Sequence, residues 1–159
     1  MARVLIVAHE PLAHALAQVA RHAYPDAAGA LAALDVPAAC DGAGAQARVR
    51  QALLAELQAD RAAGGPGEVL VLCDAFGATP CNAALAAAEG LRARVVVGAS
   101  VPMIWRTLCY LDQGRALDDL VPCAVAGAVQ GAMQLAPPRR HEQPSPPAGH
   151  DHQQHPHQQ

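Results

Sequence analysis

The sequence predicts an α/β fold: a doubly wound, mainly parallel four-stranded sheet with helices on both faces, followed by a disordered C-terminal tail. Three observations lead there. Short apolar runs of strand length alternate with segments whose apolar residues recur at helical spacing. The clearest strand runs are apolar throughout, as strands covered on both faces are. From Pro137 onward apolar residues almost vanish, and Pro, Gln, His and Gly take over. The expected division is a folded domain over residues 1–136 and a tail over residues 137–159.

Arg3 to Ala8 is a short β-branched run and reads as the first strand. Pro11 suits the first turn of the helix that follows, because its missing N–H is not needed there. Leu12, Leu16, Val19, Ala20 and Ala23 form the apolar stripe of that helix. His14, Gln18, Arg21 and His22 occupy its opposite face and read as solvent-facing. Leu31 to Val36 is a weaker strand, since Ala is a poor strand former. Asp41 opens a second helix with Val49, Leu53 and Leu57 buried and Arg48, Glu56, Asp60 and Arg61 facing water. The run from Gly64 to Gly67 stops it. Glu68 to Cys73 is the clearest strand. Thr79 then reads as a helix N-cap with Pro80 at the first helical position, and an Ala-rich helix runs to Glu89. Arg94 to Val97 is the fourth strand. Gly98 to Pro102 is a loop, and helices follow over Met103 to Leu111 and Leu117 to Gln134. Right-handed crossovers then make the strands parallel.

Composition excludes several functions. Aromatic residues are 3% of the chain, which argues against recognition by base stacking. Net charge is −3 and every basic residue is Arg, so a phosphate-tracking nucleic-acid binder is not expected. With no Lys anywhere, a Walker loop is impossible. The five cysteines form no C-x-x-C pair and their number is odd, as for reduced cytosolic thiols. No apolar stretch approaches the ~20 residues that span a bilayer. The first strand begins at once, leaving no room for a targeting segment, so a cytoplasmic location without membrane insertion is expected.

Two polar residues close apolar strands: His9 ends the first and Asp74 the third. In open α/β sheets ligands bind at the carboxyl ends of the strands. A carboxylate that accepts from one imidazole nitrogen fixes the ring and leaves the other directed outward, for proton or phosphoryl chemistry. The loop after Asp74 adds a place for an anion. Gly77 permits a tight turn, and Ala78 and Thr79 lead into a helix whose first N–H groups point at a ligand.

With these residues in view, the chain resembles the IIA component of the bacterial phosphotransferase system (PTS), mannose family. The likeness rests on Val4-Leu-Ile-Val-Ala-His9, on Val71-Leu-Cys-Asp-Ala-Phe-Gly-Ala-Thr-Pro-Cys-Asn-Ala83 and on Val97-Gly-Ala-Ser-Val-Pro-Met103. These blocks fall in the family's order and spacing over roughly residues 1–135. The resemblance implies a doubly wound domain that is commonly a homodimer. It implies that His9 accepts a phosphoryl group from the phosphocarrier HPr and passes it to a IIB protein. Asp74 would hydrogen-bond that histidine, and Gly77, Ala78 and Thr79 would bind the phosphoryl group. Glu10, Phe76, Ser100, Pro102 and Met103 would wall the site. No cofactor and no resident metal are implied. Three positions depart from the family pattern: Glu10 replaces a common Gly, Ala78 a second Gly, and Cys81 a Phe.

The chain ends without a IIB segment, so a separate IIB protein is expected as acceptor, with association to a IIC/IID permease. A regulatory phosphoprotein, whose His9 state is sensed without sugar transport, is the alternative. Trp105 reads as core or interface, and Arg106 as exposed or as a guide for an acidic partner. Five of the eight histidines lie in the tail, where imidazoles suit Ni²⁺, Cu²⁺ or Zn²⁺ but lack zinc-finger spacing. A faint edge strand is expected near Ala132 to Leu135.

Overall fold

Arg3–His9 forms β1, whose residues Val4 to Ala8 are all buried, so this run can sit only in the middle of a covered sheet. The computed structural model describes residues 1–135; the expected tail at 137–159, with its histidines and their metal reading, lies outside the described residues. β1 pairs in parallel with β2 (Leu31–Val36) on one side and β3 (Val69–Cys73) on the other. β4 (Ala93–Val97) extends the sheet beyond β3, giving the order β2-β1-β3-β4. The Ala-rich β2 forms despite its weak propensity because a fully apolar neighbour offers it a ladder.

Among the described residues five α-helices cover the sheet: α1 (Leu12–Ala23), α2 (Gly42–Ala62), α3 (Thr79–Ala88), α4 (Val101–Asp112) and α5 (Leu117–Gly131). Successive strand residues point to opposite faces. Val4, Ile6, Ala8, Leu70 and Leu72 therefore meet α1, α4 and α5 through residues such as Ala17, Met103 and Leu108. Leu5, Val7, Val71 and Cys73 meet α2 and α3 through Val49, Leu53 and Ala84. Small residues let these layers approach closely. A Cβ on Gly127 of α5 would lie 2.8 Å from the Pro102 carbonyl oxygen and 2.9 Å from Met103 Cα, so the two helices touch backbone to side.

Several expectations shift in detail. A 3₁₀ turn at Asp26–Ala30 fills the connection into β2. α4 starts at Val101 rather than Met103, because Ser100 is its N-cap and accepts from the Met103 amide at 3.4 Å. α5 ends at Gly131, and residues 132–135 form no strand.

Asp60 departs furthest from expectation. It is fully buried, not water-facing. Its Oδ2 accepts from the Gly67 and Glu68 amides at 2.7 and 3.0 Å, and its Oδ1 lies 3.1 Å from the Met1 ammonium. Burial pushes its carboxyl up, but these amides and the ammonium outweigh it and hold the group below the usual range. Asp60 thereby fastens the end of α2 to the chain entering β3. Asp60→Ala leaves two amides and an ammonium without their acceptor and is expected to cost about 2–5 kcal/mol in urea unfolding. A loss under about 1 kcal/mol, the scale of one ordinary hydrogen bond, would show that Asp60 is not a structural anchor.

Candidate phosphoryl site

The connection after β1 leads to β2 on one side, while β3 and β4 lie on the other. The sheet therefore has its topological switch point between β1 and β3, where the loops diverge and leave a crevice. His9 and Asp74 stand there. Val7 is opposite Cys73, so the residue after Cys73 arrives beside the last turn of β1.

Asp74 binds His9 twice through one oxygen. Its Oδ2 accepts from the His9 amide at 2.9 Å and lies 2.6 Å from the ring Nδ1. Its Oδ1 accepts from the Ala75 amide at 2.8 Å. Burial pushes the Asp74 carboxyl up, yet the His9 amide, the His9 ring and the Ala75 amide together hold it below the usual range. An ionised Asp74 is acceptor-only, so the proton between the two groups sits on Nδ1. In the neutral imidazole Nε2 then carries the lone pair. The Asp74 side chain is 9% exposed and the His9 side chain 50%, so the anchor is sheltered while half of the imidazole side chain is open to water.

The loop from Asp74 to Thr79 turns at Gly77, whose φ of +78° is open to glycine at little cost. Asn82 Nδ2 donates to the Gly77 carbonyl at 2.9 Å and braces that turn. Ala78, not Thr79, is the N-cap of α3, with Thr79 the first helical residue and Pro80 the second. The expected capping role of Thr79 is thus corrected: its exposed hydroxyl is not needed to close the helix. Thr79 borders a depression of about 270 Å³ with Gly42, Gln46, Asn82 and Ala83, and His9 is not among the residues lining it. Phe76 is 85% exposed at the loop tip.

The second loop is strapped to the first. Gly98 and Ala99 both donate to the Cys73 carbonyl, at 2.9 and 2.8 Å, immediately before Asp74. Ser100 caps α4 and Pro102 is exposed, but Met103 is fully buried in the core. Met103 therefore supports this loop from below and is not a wall. Glu10 is exposed, with its amide bonded to the Val36 carbonyl at 3.1 Å. Cys73 and Cys81 are packing residues: both are fully buried, and burial pushes the Cys73 thiol far up, with Cys81 and the Asp74 charge adding to it.

A second imidazole–carboxylate pair escaped the sequence reading. Asp35, in β2, is opposite Ala8 in β1. Its Oδ1 accepts from the Ala13 and His14 amides at 2.9 and 3.3 Å, and its Oδ2 lies 2.7 Å from His14 Nδ1. Asp35 thus caps α1 from a neighbouring strand, while Pro11 at the N-cap has no side chain for that purpose. The signal was present: Asp35 is a carboxylate near the end of a predicted strand, as Asp74 is. Among the described residues no cluster of three or more His, Cys, Asp or Glu is arranged to hold a metal ion. No described helix is long and apolar enough to cross a membrane.

A family profile described as PTS system fructose IIA component matches residues 3–122, which include β1 to β4 and both site loops. Solved structures share the fold. The mannose/sorbose-specific IIA subunit of the phosphotransferase system from Enterococcus faecalis aligns with TM-score 0.71 and 20% identity, over 86% of this chain and 96% of its own. EIIA from Streptococcus agalactiae aligns with TM-score 0.68 and 21% identity, over 84% and 97%. A sigma-54 interaction domain protein from Enterococcus faecalis aligns with TM-score 0.63 and 13% identity, over 82% and 90%. No curated protein sequence matches the chain.

The Asp74 bonds set a pH dependence. A carboxyl held below its unfolded value, near 3.9, stabilises the fold fully above that value and loses the contribution as pH falls through the folded one. Asp74→Asn is therefore expected to be about 1.5–3 kcal/mol less stable than the parent at neutral pH. The gap should narrow once pH drops below about 4. Urea unfolding across that range measures it, and a gap that stays constant into strong acid would sink the account.

Proposed function

The chain belongs to the family of phosphotransferase-system IIA components of the fructose and mannose type, and we propose that it carries a phosphoryl group on His9 Nε2. One observation carries this reading: Nδ1 is fixed on a sheltered carboxylate while the imidazole stands half exposed at the switch point of the sheet. The donor is the phosphocarrier HPr and the acceptor a separate IIB protein, in the cytoplasm and alongside a IIC/IID permease.

In the forward step the Nε2 lone pair attacks phosphorus on the donor's phosphohistidine. The new N–P bond forms as the donor's N–P bond breaks, and the donor imidazole leaves with the electron pair. The His9 ring keeps its Nδ1 proton and becomes cationic, which Asp74 stabilises. Thr79, freed from capping, offers its hydroxyl and amide to the phosphoryl oxygens, and the start of α3 adds a favourable dipole. The acceptor imidazole then repeats the displacement. Catalysis is positioning and charge stabilisation, and the reading calls on no cofactor. The carboxylate of Glu10 is exposed to water, so solvent screens its repulsion of the phosphoryl group.

Two further readings have support. Trp105 on α4, Val125 and Val129 on α5, and Met133 just beyond are large apolar residues left exposed, which a second copy in a homodimer would cover. A sigma-54 interaction domain protein shares the fold, and in the regulatory alternative partners read the His9 state and no sugar is moved.

Labelled phospho-HPr tests the main reading. The full chain should take acid-labile, base-stable label at His9, and label from phospho-HPr found only at other residues would overturn the assignment. Asp74→Ala should slow transfer roughly 10- to 100-fold, a loss of about 1.4–2.7 kcal/mol of transition-state stabilisation. Transfer at the parental rate in Asp74→Ala would defeat its orienting role. Onward passage to a IIB protein separates the transport reading from the regulatory one.

A further inference from the structure

The His14–Asp35 pair repeats the His9–Asp74 arrangement at the same edge of the sheet. In each, one carboxylate accepts two backbone amides, one of them the histidine's own, and holds that histidine's Nδ1. The Nδ1 separations are 2.7 Å for His14 and 2.6 Å for His9. The exposure is graded alike: Asp35 is 16% exposed and the His14 side chain 64%. Both carboxylates flank the end of β1, Asp35 opposite Ala8 and Asp74 just past the partner of Val7. His14 also borders an open groove of about 450 Å³ with Pro11, Ala15, Gln18 and Arg21, so a small anion has room beside its ring. Gln18 stands one turn further along the same helix face, where its side-chain amide can meet that anion.

A surface histidine without a partner shares its proton between two nitrogens and rotates freely. One whose Nδ1–H is held by a carboxylate presents Nε2 as a fixed nucleophile and has its cationic product stabilised. We propose that His14 is a second phosphorylation site, oriented by Asp35 and charged directly by phosphoramidate donors. The inference rests on the imidazole–carboxylate chemistry assigned to His9, but not on His9 itself. In the reaction the Nε2 lone pair bonds to phosphorus. The donor's P–N bond breaks, and its electron pair leaves with the departing amine. The ring retains its Nδ1 proton and carries a positive charge that faces Asp35. Asp35 already holds the Ala13 and His14 amides, so the phosphorylated ring is tied directly to the start of α1, two residues past the Pro11 that follows the His9 turn.

His22 supplies an internal control, being an exposed histidine in the last turn of the same helix. The full chain is treated with potassium phosphoramidate, and label is followed site by site by peptide mass spectrometry and ³¹P NMR. His14 is expected to label at least roughly tenfold faster than His22, a ratio equivalent to about 1.4 kcal/mol. His9→Ala should keep the His14 label. Asp35→Asn, which retains an oxygen for the α1 amides, should bring His14 down to the His22 rate, with circular dichroism checking that the helix persists. Equal rates at His14 and His22 in the parent protein would overturn the proposal without reference to any variant. Loss of the His14 label in His9→Ala would overturn direct charging. An unlabelled His9 beside a labelled His14 would instead count against the reading of His9.

Discussion

The central place of β1 is the constraint on which the site depends. Its five buried residues must be paired on both sides and covered on both faces, because a buried backbone amide without a partner costs free energy comparable to a lost hydrogen bond. Parallel pairing with β2 and β3 meets that demand and fixes the register. Because register is fixed, the polar residues at or beside the ends of β1, β2 and β3 arrive at one edge. Asp35 and Asp74 approach β1 from opposite sides, and His9 stands where the ladder ends. A shift of one residue in either pairing would turn the apolar sets to the wrong faces and pull a carboxylate away from its histidine.

The carboxylates do more than orient rings. Each accepts backbone amides as well, so each is part of the frame it serves. Asp74 ties the end of β1 to the loop after β3, and Asp35 ties the start of α1 to β2. Asp60 plays the same part at the opposite end of the molecule, holding the end of α2 to the entry of β3. In all three, a sheltered carboxylate closes a set of N–H groups that the regular elements leave open. That accounts for Asp74 staying ionised in spite of its burial. It also explains how a half-exposed imidazole is held in one orientation.

Burial by small residues sets the rest. With aromatics at 3%, the layers close through Ala, Val and Leu, and Gly127 lets α5 press against the backbone of α4. This contact positions the start of α4, and with it Ser100 and Pro102. Large apolar residues that stay exposed include Phe76 at the site loop, Trp105 on α4, and Val125 and Val129 on α5.

The strands, their order along the chain and the His9–Asp74 pair were legible in sequence because they follow from periodicity and from polar residues that terminate apolar runs. Asp41 as a cap and the glycine stop after α2 were legible for the same reason: capping is local chemistry. What sequence could not supply was anything decided by approach across the fold. Asp60 sits on a helix face that looks solvated, and only the chain returning toward β3 buries it. Thr79 has the chemistry of a cap, but the backbone turns one residue earlier, at Ala78. Met103 belongs to a site loop by sequence and to the core by packing. His14 looked like one more surface residue until β2 brought Asp35 beneath it. Local pattern fixes which segments are strands and helices, since it acts within a few residues. Which polar groups meet is set by strand register and helix packing, which join residues far apart in the chain.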